Sequence, residues 1–129
     1  MVRMPGATLG QSHGAGKILA EAARRARDGR PMLSRRLDDR FPLNAIIPLG
    51  TDSPQNGRFR GTIASWGVDI SRNGLGLLSE KPLAVGSLVY ADFTNFGLPQ
   101  CVLPIRILEC STLFGNTHRV SAVFVSQAG

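Results

Sequence analysis

The chain has 129 residues, 43% hydrophobic and 19% charged, with 15 Lys or Arg against 9 Asp or Glu and a formal charge of +6. This is the composition of one ordinary globular domain, which excludes an intrinsically disordered chain and leaves little room for a second core. Two cysteines without a CxxC or Cys/His grouping give no disulfide framework and no metal site, and no run of about 18 apolar residues offers a membrane span.

Residues 1–16 are rich in Gly and small polar side chains and read as a flexible leader. They hold no apolar run of the kind a signal peptide needs, so a cytoplasmic protein is expected. Lys17–Asp28 (KILAEAARRARD) is built from good helix formers and is stopped by Gly29 and Pro31. Ile18, Leu19 and Ala22 share one face of that helix, with Arg24, Arg25 and Arg27 turned to water. The leader and helix are expected to occupy residues 1–33, and the main domain 34–129.

After Pro31 short β-branched runs alternate with Gly, Pro and Asn clusters. The expected strands are Phe41–Leu49, Phe59–Ile70 with a bulge near Gly67, Leu75–Leu78, Ser87–Phe93, Cys101–Glu109 and Arg119–Val125. Pro104 within the fifth run predicts an edge or bulge position. Six short strands at this spacing predict an all-β fold, a six-stranded antiparallel β-barrel with a short N-terminal helix.

The charge is lopsided. Residues 1–60 hold eleven Lys or Arg against five Asp or Glu, and residues 61–129 hold four of each. Such a bias suits an anionic partner, or a merely solvated basic tail. Catalytic groupings are lacking. His13 and His118 have no nucleophile beside them in sequence, and Gly14-Ala15-Gly16-Lys17 lacks the spacing, the magnesium-binding hydroxyl and the preceding strand of a phosphate-binding loop. A non-enzyme without cofactor or metal is expected.

Two polar segments stand out. Ser34-Arg35-Arg36-Leu37-Asp38-Asp39-Arg40 precedes the first strand run, and Asp69-Ile70-Ser71-Arg72-Asn73-Gly74 ends the second. Taken singly, the first is a solvated arginine-rich hinge. The second is a polar turn whose Asp and Ser bond the backbone and whose Gly supplies a positive φ. Together, as RxxxR (Arg36 to Arg40) followed by DxSxxG (Asp69 to Gly74), they resemble the PilZ family of bacterial cyclic di-GMP receptors. The resemblance extends over residues 34–125, through the Glu80-Lys81-Pro82-Leu83 turn, Gly86 and the closing run His118–Phe124.

The resemblance implies a cyclic di-GMP site of Arg35, Arg36, Arg40, Asp69, Ser71 and Gly74, with Arg72 and Asn73 as further contacts. The chemistry suits those side chains. Guanidinium groups fork onto phosphate or the O6/N7 edge of guanine and stack on purines. A carboxylate accepts from guanine N1–H and N2–H, and Ser71 offers a hydroxyl. Gly74 is expected to let the backbone turn tightly and to leave room for ligand. By the same resemblance, an Arg at position 35 goes with an intercalated pair of nucleotides in place of one. Family members often carry a C-terminal helix that this chain lacks. Either Lys17–Asp28 covers the barrel or a partner does, and an uncovered mouth would favour homo-oligomers.

The function implied is a stand-alone cyclic di-GMP receptor that regulates an unidentified effector protein, with motility, biofilm or virulence outputs. Two rivals stand beside it. One is a PilZ-like adaptor that binds protein and no nucleotide. The other is a small basic barrel for RNA or single-stranded DNA, which the few, scattered aromatics disfavour as stacking platforms.

Overall fold

Alternation decides the strands. Phe41, Leu43 and Ala45 are buried while Pro42, Asn44 and Ile46 are exposed, the period of two that gives a strand one wet face. His118, Val120, Ala122 and Phe124 repeat that pattern inward on the last strand. The structure, a computed structural model, describes residues 13–29 and 40–125. The boundary expected at residues 33 and 34 and the leader as far as Ser12 lie outside them.

The fold is mostly β with one helix, α1 (His13–Gly29). The strands are β1 (Phe41–Ile46), β2 (Leu49–Gly50), β3 (Ser65–Ile70), β4 (Gly74–Ser79), β5 (Leu88–Asp92), β6 (Val102–Phe114) and β7 (Thr117–Phe124), with a 3-10 turn at Thr94–Phe96. All pair antiparallel in one curled sheet of order β1-β3-β4-β7-β6-β5-β2.

Seven strands stand among the described residues where six were expected, because the first run is cut at Pro48, which has no amide hydrogen. There the chain changes partner. Ile47 N–H donates to Ser65 O at 2.9 Å, Pro48 O accepts from Asp92 N–H at 3.0 Å, and Leu49 exchanges two bonds with Ile63. β1 therefore pairs with β3 and β2 with β5. The two ends of the sheet are held by one segment bonded on both sides.

The second run is shorter than expected, starting at Ser65 and not Phe59. Its first half folds back over β2 so that the Phe59 ring lies against Gly50 and Gly61, where no Cβ obstructs it. The fifth run is longer, reaching Phe114. It lies between β5 and β7 in the sheet, not at an edge. Pro104 is tolerated because its nitrogen turns, with its carbonyl, past the last β6–β7 pair, Ile105 with Phe124. That carbonyl accepts Val125 N–H at 3.1 Å.

Ile70, Leu75, Leu77, Phe93, Ile105, Ile107 and Val120 form the centre of the core. The helix joins it. Ala15, Ile18 and Ala22 are buried against the sheet, beside β1 and β6, so α1 covers this part of the core in cis. It begins at His13, before the expected Lys17. Gly14 lets it approach Leu103 closely, since a Cβ there would stand 2.6 Å from Leu103 Cδ2, and Ala15 gains burial. Arg25 does not simply face water. Its guanidinium lies 4.1 Å from the Phe96 ring centre and donates to Phe96 O at 2.7 Å, fastening the helix to the 3-10 turn. No helix among the described residues is long and apolar enough to cross a membrane.

Candidate functional site

The orientation of Asp69 depends on one extra residue. Gly67 pairs with Leu77 and Asp69 with Gly76, so Val68 is left over as a bulge in β3. Before it Ser65 and Gly67 point inward; after it Ile70 is inward and Asp69 lies on the outer face. Without the bulge, strict alternation would bury Asp69 and expose Ile70. β1 carries its own irregularity opposite, between Pro42 and Ala45, with Asn44 at φ 50°.

Arg40 enters β1 one residue before Phe41, and Phe41 pairs with Ile70. That register brings Arg40 beside Asp69, and Arg40 Nη2 donates to Asp69 Oδ1 at 2.9 Å. The end of one sequence motif and the start of the other, 29 residues apart, thus meet in an ion pair on the outer face. The hydrogen bond it donates to the carboxylate holds the Arg40 guanidinium above its ordinary pKa, against a smaller opposing effect of burial. Arg35 and Arg36 lie outside the described residues.

The rest of the second motif closes the β3–β4 hairpin. Ser71 N–H donates to Gly74 O at 2.8 Å, and the Ser71 hydroxyl is buried and directed to the same carbonyl at 3.5 Å. Arg72 and Asn73 are exposed at the tip. Gly74 departs from the expected turn glycine, for it is not among the residues with positive φ. It is buried at the start of β4, where a Cβ would come within 2.4 Å of the Ala122 carbonyl oxygen of β7. Glycine is needed there for the approach of two strands. Asp69, likewise, bonds the Arg40 side chain and not the turn backbone.

Two residues of this cluster were not singled out by motif. Arg119 lies on the outward side of β7, opposite Leu78 of β4. Gly76 of β4 lies opposite Asp69 on one side and Ser121 on the other. A Cβ on Gly76 would stand 2.7 Å from Asp69 Oδ1 and 2.8 Å from Arg119 Nη2. The two side chains therefore share the space over this glycine. The signal for Arg119 is its place in the alternation RVSAVFV, outward by period, but only the β3–β4–β7 register puts that face beside Asp69.

Next to the cluster runs an apolar row, Ile46, Trp66 and Leu78, paired across β1, β3 and β4 and leading to Arg119. Ile46 and Trp66 are exposed. Two shallow hollows around the 51–60 loop, one lined by Asp52, Arg58 and Arg60 and the other by Phe59, Asp92 and Gln100, contain none of the motif residues. What the cluster offers chemically is two guanidinium groups around one carboxylate on an open face. This suits an anionic ligand that also carries paired N–H donors. Compared with known protein families and with characterised proteins, the sequence matches none.

Proposed function

We propose that the chain is a receptor for cyclic di-GMP, built like a PilZ domain, that passes its bound state to an effector protein. The observation that carries this reading is the Arg40–Asp69 ion pair. It joins the last residue of RxxxR to the first of DxSxxG, as a single ligand site drawn from both motifs requires. The ligand's phosphates and guanine acceptor edges match the arginines, and its guanine N1–H and N2–H match Asp69. Arg36 and Arg35 reach the ligand from the segment ahead of Arg40, and Arg35 favours an intercalated pair of nucleotides. Bound ligand changes the outer face, and an effector responds through its different affinity for the two states.

Isothermal titration with cyclic di-GMP tests the reading, beside an Arg36→Ala, Arg40→Ala double variant and GTP as control. Saturable binding, lost in the variant and absent with GTP, is the expected result. A stoichiometry near two supports the role of Arg35, and one near one removes it. A second reading, an adaptor that binds protein without nucleotide, draws on the exposed apolar row at Ile46 and Trp66. It takes the lead if no binding is found by titration and by a second, non-calorimetric method.

A further inference from the structure

Gly76 is the bare position between Asp69 and Arg119. It is not among the residues with positive φ, so the space over it, and not its backbone conformation, is what glycine provides. Into that space the Asp69 carboxylate comes from β3 and the Arg119 guanidinium from β7, within 2.7 and 2.8 Å of the same point. Asp69 is engaged by Arg40, whereas Arg119 makes no ion pair among the described residues. Its donors remain available at the outer face, next to the carboxylate.

A carboxylate and a guanidinium side by side form an edge with acceptors at one end and donors at the other. Guanine presents the complement, N1–H and N2–H donors followed by the O6 and N7 acceptors. Adenine reverses the middle of that pattern. It has a lone pair at N1 where guanine has a hydrogen, and an amino donor where guanine has O6. Adenine would thus set acceptor against acceptor and donor against donor.

Resting on the cyclic di-GMP reading, we infer that Arg119 is a specificity-determining residue of the site. Its guanidinium donates to O6 and N7 of the guanine whose N1–H and N2–H are accepted by Asp69. The contact of Arg40 with Asp69 Oδ1 does not block this, because each carboxylate oxygen has two lone pairs. The guanine is read along its whole edge by β3 and β7 together, with Gly76 as the floor beneath it.

The test measures affinities of the full chain for cyclic di-GMP and cyclic di-AMP, in the wild type and in Arg119→Ala, Arg119→Lys and Gly76→Ala. Thermal melting serves as the control for folding. Arg119→Ala is expected to weaken cyclic di-GMP binding about tenfold or more, the scale of one lost bidentate contact, and to leave cyclic di-AMP affinity unchanged. Arg119→Lys keeps the charge but loses the fork, and moves the same way. Gly76→Ala keeps both side chains but pushes their ends apart, so it too weakens cyclic di-GMP selectively without lowering the melting temperature. A wild type that binds cyclic di-GMP with Arg119→Ala binding equally well overturns the inference alone. So does an equal loss for both nucleotides, which would make Arg119 a mere charge. A wild type that binds no cyclic di-GMP brings down the receptor reading, and this inference with it. Should Arg119→Ala fail to fold, the other two variants decide.

Discussion

In the proposed receptor the Arg40–Asp69 pair matters by its placement, and its energetic contribution to the fold is minor. Its side chains are 49% and 23% exposed, and such a pair stabilises a protein by only about 0.5 kcal/mol. Arg40→Ala should therefore lower the melting temperature by no more than about 2–4 °C while removing ligand binding, which calorimetry of the variant checks directly. The two glycines of β4 make the opposite contrast. At Gly74 the obstacle is the Ala122 carbonyl oxygen of the neighbouring strand, 2.4 Å from an added Cβ. Backbone cannot swing aside, so Gly74→Ala is expected to destabilise by about 1–3 kcal/mol in urea unfolding. At Gly76 the obstacles are the ends of two flexible side chains, and the fold tolerates the same substitution. One strand thus carries a glycine for stability and, two residues on, a glycine that the proposed site uses.

At the level of elements, α1 is fixed by its buried face and by the Arg25 latch. Glu21 braces that latch, accepting from Arg24 at 2.5 Å and from Arg25 at 2.7 Å. These hydrogen bonds pull the Glu21 carboxyl from 4.5 down to about 2. A carboxylate with a lowered folded pKa contributes its stability fully above its unfolded value and loses it as pH falls through the folded one. Wild type and Glu21→Gln should accordingly differ in stability at neutral pH and converge between pH 4.5 and 2, a window that denaturant melts at stepped pH can follow. The helix with its apolar face and the places of the strand runs were legible in sequence, because apolar runs there are set off by Gly, Pro and Asn clusters. Register was not. Gly67 did mark a bulge, and the extra residue falls beside it at Val68, but the sequence WGVDI does not say which residues then oppose each other across the sheet, so the face of Asp69 could not be read. For the same reason the motif residues could be recognised one by one, while Arg119 could not be assigned beside them. Pro104 misled in the other direction, since a missing donor signals a free side and here that side is only the end of β7.

In the whole molecule, the segment from Ile47 to Gly50 holds both ends of the sheet. Hydrogen exchange should find β4 and β7 among the most protected segments, since each lies between two partners in the ordered core. The stitching at Pro48 also bears on how this protein would behave when crowded or heated. Amyloid-like growth and strand swapping need a row of unsatisfied backbone groups to copy, and the segment from Ile47 to Gly50, bonded on both sides, withholds that template where the two ends of the sheet meet. The β6–β7 hairpin lies away from that protection. It outruns β5, and its tip carries Leu113 and Phe114, 51% and 70% exposed. Aggregation should begin there, so Phe114→Lys should raise the temperature at which light scattering sets in without moving the unfolding midpoint. The segment that joins the two ends of the sheet thus guards one part of the protein against self-association and leaves the hairpin tip outside its reach.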